Sequence, residues 1–508
     1  MSRTKNTVRN ISAGLINKVV MLLFPFVIRT ILIKHLGSDY LGLSSLFTSI
    51  LQVLNLTELG FSSAIVYSMY KPLAEKDTKT ICTLMNFYKK IYRIIGLIII
   101  IFGMLLIPFL PKLIHGSYPE TINITILYLI YLFNTGVTYF LFAYKSSLLN
   151  ADQRNDIINN VNTIVGSVQY IMQIIILIVF KNYYAYIIVQ TLANIINNIA
   201  IAYITSKYYP NYTCAGDLSN NQKKDIKKRV FGLMIQKICQ TTRNSFDSIF
   251  ISAFFGLNIV AIYNNYYSIM FALNSLVSII LTSMLASIGN SIAREKIEKN
   301  YNDLTKFDFG YMWLSGWLSI CLFCLFQPFM KIWMGNNYLL DYSSVILFCL
   351  YFYALKMGDI RSLYVEAMGL WFENRYRALM ETFLNLVLNY FLGRVMGLNG
   401  IIIATFISLF LINFLYGSNI IFKYYFKNYS VWEYFKYHFK YFSVTAIIGV
   451  ITFIICTYVP HNGIMKFILC GIICFVIPNL FYFIVYHKDK NFRYFKNLLL
   501  EMGKMKNE

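Results

Sequence analysis

Four basic side chains that could bind a substrate lie inside long apolar segments of this sequence. A charge in such a segment is unfavourable in free energy unless it has a function or a partner. Lys18 and Arg29 fall in the first apolar segment, and Lys237 and Arg243 fall in a later one. A charge at the centre of a membrane-spanning helix costs about 2.5–3.5 kcal/mol on insertion scales, so it usually faces a cavity or a partner. We therefore predict that these groups line a cationic cavity that binds an anionic substrate.

Acidic and amide side chains occur in the same kind of segment. Glu58 and Asp247 are candidate charge partners or coupling carboxylates, and Asn55 and Asn274 are candidate polar residues of the cavity. Arg243 and Asp247 are four residues apart, so on a helix they can equally form an ion pair that neutralises both. The residues alone leave these two interpretations open.

Four of the embedded charges have structural interpretations beside the functional one. The long side chain of Arg29 can reach the membrane interface instead of a cavity. Glu58 is favoured as a buried partner of Lys18, with proton coupling as the alternative. Lys356 and Asp359 fall near the cytoplasmic end of a segment, where a structural ion pair is the favoured interpretation.

The segments that hold these residues have the length and composition of transmembrane helices. The 508-residue chain is 57% hydrophobic and 13% charged, with a mean hydropathy of +0.56. Apolar runs of about 20 residues recur along the whole chain, and each can cross a bilayer core as a helix. We predict an all-α polytopic membrane protein with about fourteen spans. These lie near 11–34, 41–68, 91–111, 121–144, 157–180, 184–206, 230–255, 259–290, 309–333, 342–363, 376–396, 399–424, 441–459 and 463–486.

Lys and Arg are distributed unequally between alternate connections of these spans. Most of the 45 basic residues lie at the N-terminus or in every second connection, among them Arg361, Arg375 and Arg377. The other connections hold six, namely Lys34, Lys112, Lys181, Lys331, Arg394 and Lys466. By the positive-inside rule this distribution predicts that both termini are cytoplasmic.

The composition also argues against several function classes. A net charge of +22 can attract nucleic acid, but here the charge lies in short connections that face anionic membrane lipids, so no nucleic-acid partner is expected. The predicted outer connections are too short for a catalytic domain, and no HExxH motif or nucleophile–histidine arrangement is present. The nine cysteines are interpreted as small apolar filler. We therefore expect no enzymatic activity, no cofactor and no metal.

The two halves of the chain show the signs of an internal duplication. A shift of 219 residues, the difference between 18 and 237, aligns Lys18 with Lys237 and Asn55 with Asn274. The prediction is two pseudo-symmetric six-helix bundles, residues 1–215 and 216–428, followed by a helix pair and cytoplasmic tail in residues 429–508. Parallel repeats of this kind place substrate sites between the repeats near mid-depth.

Several short motifs, mostly around glycines, resemble those of one family of membrane proteins. The motifs are Leu36-Gly-Ser-Asp-Tyr-Leu-Gly-Leu43, Glu58-Leu-Gly-Phe-Ser-Ser-Ala64, Asp247-Ser-Ile-Phe-Ile-Ser-Ala-Phe-Phe-Gly256, Ala367-Met-Gly-Leu370, Arg375-Tyr-Arg377, Glu381 with Asn385, Gly397-Leu-Asn-Gly400-Ile and Thr405. With the span count, they make the chain similar to the Wzx-type polysaccharide flippases of the multidrug/oligosaccharidyl-lipid/polysaccharide (MOP) exporter superfamily.

This resemblance implies a MATE-like architecture and a location in the bacterial cytoplasmic membrane. It implies translocation of undecaprenyl-pyrophosphate-linked oligosaccharides by alternating access, for capsule, O-antigen or exopolysaccharide assembly, with polysaccharide polymerases and glycosyltransferases as partners. A MATE-type drug/cation antiporter and a lipid II flippase are the alternatives. An antiporter site for cations would need membrane carboxylates, whereas the embedded bases outnumber the acids here.

Overall fold

The structure is a computed structural model that describes residues 3–55, 61–116, 118–152, 154–460 and 463–495. The described residues form helices, turns and loops, with no strand among them. The α-helices are α1 (Arg3–His35), α2 (Ser38–Leu54), α3 (Phe61–Ala74), α4 (Thr78–Leu106), α5 (Ile124–Phe140), α6 (Ser146–Ala151), α7 (Asn155–Ile175), α8 (Tyr183–Tyr208), α9 (Asn220–Phe255), α10 (Leu257–Arg294), α11 (Ile297–Trp333), α12 (Tyr342–Lys356), α13 (Asp359–Ala367), α14 (Trp371–Met396), α15 (Leu398–Ser408), α16 (Gly417–Tyr424), α17 (Val431–Thr457) and α18 (Gly463–Tyr486).

Five shorter helical segments complete these elements. Three are 3₁₀ turns, at Ile107–Leu113, Ala143–Lys145 and Asn336–Tyr338, and two are π-helical, at Ile176–Phe180 and Leu409–Tyr416. The second π segment joins α15 to α16 without a loop. π-helical turns are rare, and they often occur at functional sites because they shift the side chains that follow out of the α-helical register.

The helices confirm an all-α polytopic membrane protein. Ten helical segments of the described residues are long and apolar enough to cross a membrane, and each coincides with a predicted span. The other four predicted spans are occupied by α2 with α3, by α5, by α9 and by α14. Three helices, α9 to α11, contain 36 to 38 residues, or about 55 Å at 1.5 Å per residue, so they exceed a hydrocarbon core of about 30 Å.

Large apolar side chains cover the outer surface of these helices. Phe180 is 68% exposed, Phe475 is 64% exposed and Leu97 is 54% exposed. A soluble protein rarely exposes so much contiguous apolar surface, whereas lipid tails favour it. The exposed apolar surface agrees with a membrane location.

Two predicted spans are interrupted in the structure. The span near 41–68 is formed by α2 and α3, and the residues between them, 56–60, lie outside the described part of the chain. The span near 342–363 ends as α12 at Lys356 and resumes as α13 at Asp359. Gly358 lies at this break. Its lack of a side chain leaves room for Arg361, since a Cβ at this position would lie only 2.8 Å from Nη2 of Arg361.

The chain divides into two compact units, Met1–Ala261 and Ile262–Glu508. In the first unit α1 packs on α7, α4 on α5 and α2 on α9. In the second unit α14 packs on α15, and α11 packs on both α17 and α18. The division of the repeats at residue 215 stays a prediction.

The polar segment after α8 is held on the first unit. Lys90 Nζ lies 2.7 Å from Oδ1 of Asp217, and the Asn86 amide donates to the Gly216 carbonyl oxygen at 2.7 Å. The hydrogen bond from Lys90 lowers the pKa of the Asp217 carboxyl, because an ammonium partner favours the charged form. These contacts fix the path of the chain between α8 and α9.

Substitution of Gly400 tests the closest helix packing in the second unit. A Cβ at Gly400 would overlap the backbone carbonyl oxygen of Leu392 on α14, and a backbone atom cannot move aside as a flexible side chain can. We expect Gly400→Ala to lower the free energy of unfolding by about 1–3 kcal/mol, measured by thermal denaturation of the detergent-solubilised protein. Gly471→Ala is the matched control, because nothing lies within 4 Å of its added methyl group. Equal melting temperatures for the two variants would contradict the packing described for α14 and α15.

Candidate functional site

Lys18 and Arg29, the first two predicted cavity residues, lie on α1. Both side chains are part-exposed and have polar or electrostatic contacts, and Arg29 interacts electrostatically with Tyr186 on α8. The neighbouring Asn17 donates to Oγ1 of Thr163 on α7 at 3.1 Å. The face of α1 next to Lys18 is therefore held against α7 by a polar contact.

Arg243 and Asp247 are both buried on α9, with exposures of 8% and 0%. The residue between them, Ser245, donates a hydrogen bond to Oε1 of Gln52 on α2 at 3.1 Å. The predicted charges of α9 thus lie in the first compact unit, beside a helix that carries further polar side chains.

The two predicted asparagines accept hydrogen bonds in separate units. In the first unit the hydroxyl of Tyr139 donates to Oδ1 of Asn55 at 3.2 Å. In the second unit Nζ of Lys356 donates to Oδ1 of Asn274 at 2.5 Å. Each asparagine binds a side chain of its own unit.

Two predicted residues cannot be placed by their side chains. Glu58 lies outside the described residues, and Lys237 belongs to α9 but its side chain is outside the described part of the structure. The pairing of Lys18 with Lys237, and of Lys18 with Glu58, stays a prediction.

A buried ammonium group joins four helices of the second unit. Lys356, at the end of α12, is 2% exposed, and its Nζ lies 2.7 Å from Oδ2 of Asp359 on α13. The hydroxyl of Tyr311 on α11 donates to the same carboxylate oxygen at 2.5 Å. With Asn274 on α10 as a further acceptor, the charge of Lys356 is balanced within this unit, which is what a structural ion pair requires.

Two guanidinium groups share one amide side chain near this ion pair. Arg361, which is 1% exposed, donates from Nη2 to the backbone oxygen of Asn413 at 3.0 Å and to its Oδ1 at 3.2 Å. Arg377 donates from Nη1 to the same Oδ1 at 3.0 Å and to Oε2 of Glu381 at 2.9 Å. Among the described residues, Glu381 is the one carboxylate within ion-pair distance of these two arginines.

Local backbone features create the space for these side chains. Asn413 lies in the π segment Leu409–Tyr416, and Gly417 follows this segment directly. A Cβ on Gly417 would lie 2.5 Å from Nη1 of Arg361. A glycine at this position and the wide turn before it allow a buried guanidinium group between α13 and α16.

A second buried ionisable pair joins α11 to α17. His438 is 0% exposed and Asp308 is 2% exposed, and Nε2 of His438 lies 2.8 Å from Oδ2 of Asp308. The hydroxyl of Tyr434 lies at 3.5 Å from the other carboxylate oxygen. Neither residue was singled out from the sequence, because a lone His and a lone Asp, 130 positions apart, form no motif.

An apolar groove of about 930 Å³ opens within the second unit. Its walls include Ile280 and Met284 of α10, Trp313 of α11 and Phe483 of α18. The ring of Phe492 stacks on Trp313, with 5.8 Å between centroids. The groove has the size and apolar lining of a site for hydrocarbon.

The class of this protein follows from its match to a known family. A family described as polysaccharide biosynthesis protein matches residues 5–288, which is more than half of the chain. This chain belongs to the polysaccharide biosynthesis protein family. The match covers α1 to α9 and most of α10, so it includes the candidate cationic residues of α1 and α9. No curated protein gives a significant match to this member of the family.

Solved structures show that this polysaccharide biosynthesis protein has the MOP superfamily fold. It is similar to a lipid II flippase, MurJ, in an inward closed conformation, with a TM-score of 0.68 and 18% identity over 95% of this chain and 99% of that one. An inward-facing MATE family multidrug transporter has a TM-score of 0.56 and 13% identity, over 80% of this chain and 97% of that one. The chain is also similar to a MOP superfamily transporter from Pyrococcus furiosus, which is described as having a binding pocket of reverse polarity. The TM-score is 0.58 and the identity is 14%, over 82% of this chain and 96% of that one.

Proposed function

We propose that this protein translocates undecaprenyl-pyrophosphate-linked oligosaccharide units across the bacterial cytoplasmic membrane by alternating access, for capsule, O-antigen or exopolysaccharide assembly. The observation that carries the proposal is the match to the polysaccharide biosynthesis family over residues 5–288. A membrane protein of this family with a transporter fold acts on a substrate that must cross the bilayer. The lipid part of such a substrate is soluble in hydrocarbon, and its charged and sugar parts are not.

The basic residues of α1 and α9 are the proposed binding groups for the pyrophosphate. Ammonium and guanidinium groups form charge-assisted hydrogen bonds with phosphate oxygens, and these bonds replace the water that the phosphate loses. The proposed set is Lys18, Arg29, Lys237 and Arg243, with Glu58 and Asp247 as charge partners and Asn55 and Asn274 as polar neighbours. No bond of the substrate breaks in this process, so the protein acts as a flippase and not as an enzyme.

The proposed surroundings follow from the same function. We propose that both termini are cytoplasmic, because the connections on the same side as the termini carry most of the Lys and Arg residues. Basic residues favour the side of the membrane that has anionic lipid head groups. Glycosyltransferases that build the lipid-linked unit and a polymerase that extends it are the proposed partners.

A flippase assay with a two-lysine variant tests the proposal. The purified protein is reconstituted into liposomes that contain undecaprenyl-pyrophosphate-linked oligosaccharide with a fluorescent sugar, and a membrane-impermeant quencher reports its movement. We expect Lys18→Ala with Lys237→Ala to slow translocation at least tenfold, because a hydrogen bond to a charged group contributes about 1.5–3 kcal/mol and about 1.4 kcal/mol corresponds to a factor of ten.

The matched control removes two lysines of the predicted outer connections. Lys34→Ala with Lys331→Ala changes the net charge by the same amount, at two exposed positions, and should translocate at the wild-type rate. A folded Lys18→Ala, Lys237→Ala protein that keeps the wild-type rate would remove these lysines from the binding set. Absence of translocation by the wild-type protein would contradict the proposed function itself.

A lipid II flippase is the second candidate function. The observation that favours it is the similarity to MurJ over 95% of this chain. Competition in the same liposomes separates the two: excess unlabelled lipid II should leave the labelled oligosaccharide rate unchanged under the first proposal and should inhibit it under the second.

A further inference from the structure

Three buried thiol groups meet in the second unit, at the place where α11, α17 and α18 pack together. Cys324 of α11, Cys456 of α17 and Cys474 of α18 are 4%, 4% and 0% exposed. Their Sγ atoms all lie within 4.8 Å of one another, and the three residues are free cysteines. The sequence did not reveal this cluster, because its members belong to three different helices and form no spacing motif.

Further contacts hold the three helices in place around the thiols. The indole Nε1 of Trp317 on α11 donates to the Cys474 carbonyl oxygen at 2.8 Å. The Cys470 thiol of α18 donates to the Cys456 carbonyl oxygen at 3.7 Å. A Cβ on Gly316 would lie 2.5 Å from a side chain of α18 and 2.7 Å from one of α17, so the helices approach closely here. Close packing of this kind keeps the sulfur atoms in fixed positions, as a preorganised site requires.

The spacing of the sulfur atoms suits a single metal ion with three ligands. A metal–sulfur bond of about 2.3 Å places the sulfurs of a trigonal site about 4 Å apart. Sulfurs within 4.8 Å of one another reach that spacing through shifts of less than about 1 Å. A disulfide needs its two sulfurs about 2.05 Å apart and leaves the third thiol unused.

The donor set selects the kind of ion. Thiolates are soft ligands that favour Cu(I), Zn(II) and iron–sulfur clusters, whereas Mg²⁺ and Ca²⁺ favour oxygen. Among the described residues the cluster contains three sulfurs and no imidazole or carboxylate. A structural Zn(II) site takes four ligands, and iron–sulfur clusters are held by four residues. Cu(I) is the soft ion that accepts three sulfur ligands without a fourth.

The surroundings of the cluster limit the charge that it can hold. The three cysteines belong to the same apolar core as Ile320 of α11 and Ile448 of α17. In such a medium of low dielectric constant an uncompensated charge is expensive. Cu(I) with one thiolate and two neutral thiols has no net charge, so a single deprotonation suffices, whereas Zn(II) requires two. The apolar environment therefore also favours a monovalent ion.

Two more thiols lie one helical turn from members of the cluster. Cys321 precedes Cys324 by three residues and is part-exposed, and Cys470 precedes Cys474 by four. The Cys321 Sγ lies 4.0 Å from the carbonyl oxygen of Cys474, so it borders the cluster. A soft ion passes between sulfur ligands by exchange, and Cys321 thus provides an entrance to the buried site from the surface of the helix bundle.

We infer that Cys324, Cys456 and Cys474 form a binding site for one Cu(I) ion, which links α17 and α18 to α11. On binding, the ion forms bonds to three sulfur atoms, one S–H bond breaks, its proton passes to water, and no oxidation state changes. This inference differs from the sequence-based interpretation of the cysteines as small apolar filler. The site goes beyond the proposed translocation and does not depend on it.

Copper binding by the full-length protein in lipid nanodiscs tests the site. The protein is reduced under anaerobic conditions, and Cu(I) is supplied as its coloured bicinchoninate complex, so that loss of colour measures transfer to the protein. We expect one Cu(I) per wild-type chain at this site. Each of Cys324→Ala, Cys456→Ala and Cys474→Ala should bind it at least about tenfold more weakly, since each loses one of three metal–sulfur bonds.

The matched control is Cys349→Ala on α12. Cys349 is also a buried cysteine of the second unit, but it lies outside the cluster, so this variant should keep the wild-type affinity for Cu(I). Wild-type affinity in all three cluster variants would overturn the site, and so would an equal loss of affinity in Cys349→Ala.

X-ray absorption at the copper edge examines the wild-type protein, so its result does not depend on the folding of a variant. We expect three sulfur ligands at about 2.3 Å. Nitrogen or oxygen ligands would overturn the site. A disulfide between two of the three cysteines in protein isolated from cells, with no Cu(I) bound after reduction, would overturn it as well. Translocation is not measured in either experiment, so failure of the proposed function leaves these results unchanged.

Discussion

Glu381→Leu is expected to lower the free energy of unfolding by about 3–5 kcal/mol, the cost of removing one partner from a buried ion pair. Glu381 is 2% exposed, and its Oε2 accepts a hydrogen bond from Arg377 at 2.9 Å. Without this carboxylate, the two guanidinium groups share the amide of Asn413, and Arg377 keeps one further neutral acceptor, Oδ1 of Asn374. Like charges that share an acceptor in a low dielectric repel each other strongly. Steric trapping in bicelles measures the loss directly.

A double variant separates the loss of charge balance from the loss of packing. Glu381→Leu with Arg377→Met removes both charges of the pair and replaces them with shorter apolar side chains. Replacing a whole buried pair is often neutral or stabilising, in contrast to breaking it. We therefore expect the double variant to regain most of the stability lost by Glu381→Leu, and an equally unstable double variant would show that packing, not charge, is responsible.

Arg361→Met provides a comparison within the same cluster. Among the described residues no carboxylate lies within ion-pair distance of Arg361, so its removal leaves no acid without its base. Arg361→Met should therefore cost less than Arg377→Met, which takes the guanidinium away from buried Glu381. The reverse order would indicate that Arg361 balances an acid beyond ion-pair distance, such as Asp359.

Asp359→Leu is expected to be the second large effect, again about 3–5 kcal/mol. The reason is the burial of its partner: Lys356 is 2% exposed, whereas Asp359 is 23% exposed. Removal of Asp359 leaves a fully buried ammonium group with Asn274 and Tyr311 as neutral partners. Removal of Lys356 instead leaves a carboxylate that water can reach. The same unfolding measurement should therefore rank Asp359→Leu as more destabilising than Lys356→Met.

The control for this ion pair is Lys356→Met with Asp359→Leu. It removes both charges and leaves apolar side chains, with Met close to Lys in volume and Leu larger than Asp, so we expect it to be more stable than Asp359→Leu alone. An additive loss, equal to the two single losses together, would mean that the 2.7 Å contact contributes no coupling energy. A double-mutant cycle of the four proteins measures that coupling energy.

The positions of the helices were predictable from the sequence, because hydrocarbon imposes a simple rule. A span needs about 20 apolar residues and satisfies its backbone only as a helix. The spans predicted near 157–180 and 463–486 therefore coincide closely with α7 plus the π segment that follows it, and with α18. The interruption at Gly358 was not predicted, and the close approach of the Arg361 side chain to this glycine is a contact that only the structure shows.

The sequence by itself determined the class of the protein, its helical spans and the presence of costly charges inside them, since each of these depends on neighbours along the chain. The tertiary structure decided which charges meet. Arg361 and Arg377, predicted as cytoplasmic connection charges, are brought to one asparagine in a π segment, and His438 is brought to Asp308 across 130 positions. The physical reason is that the cost of burying a charge is local, whereas its compensation comes from whatever helix packs beside it.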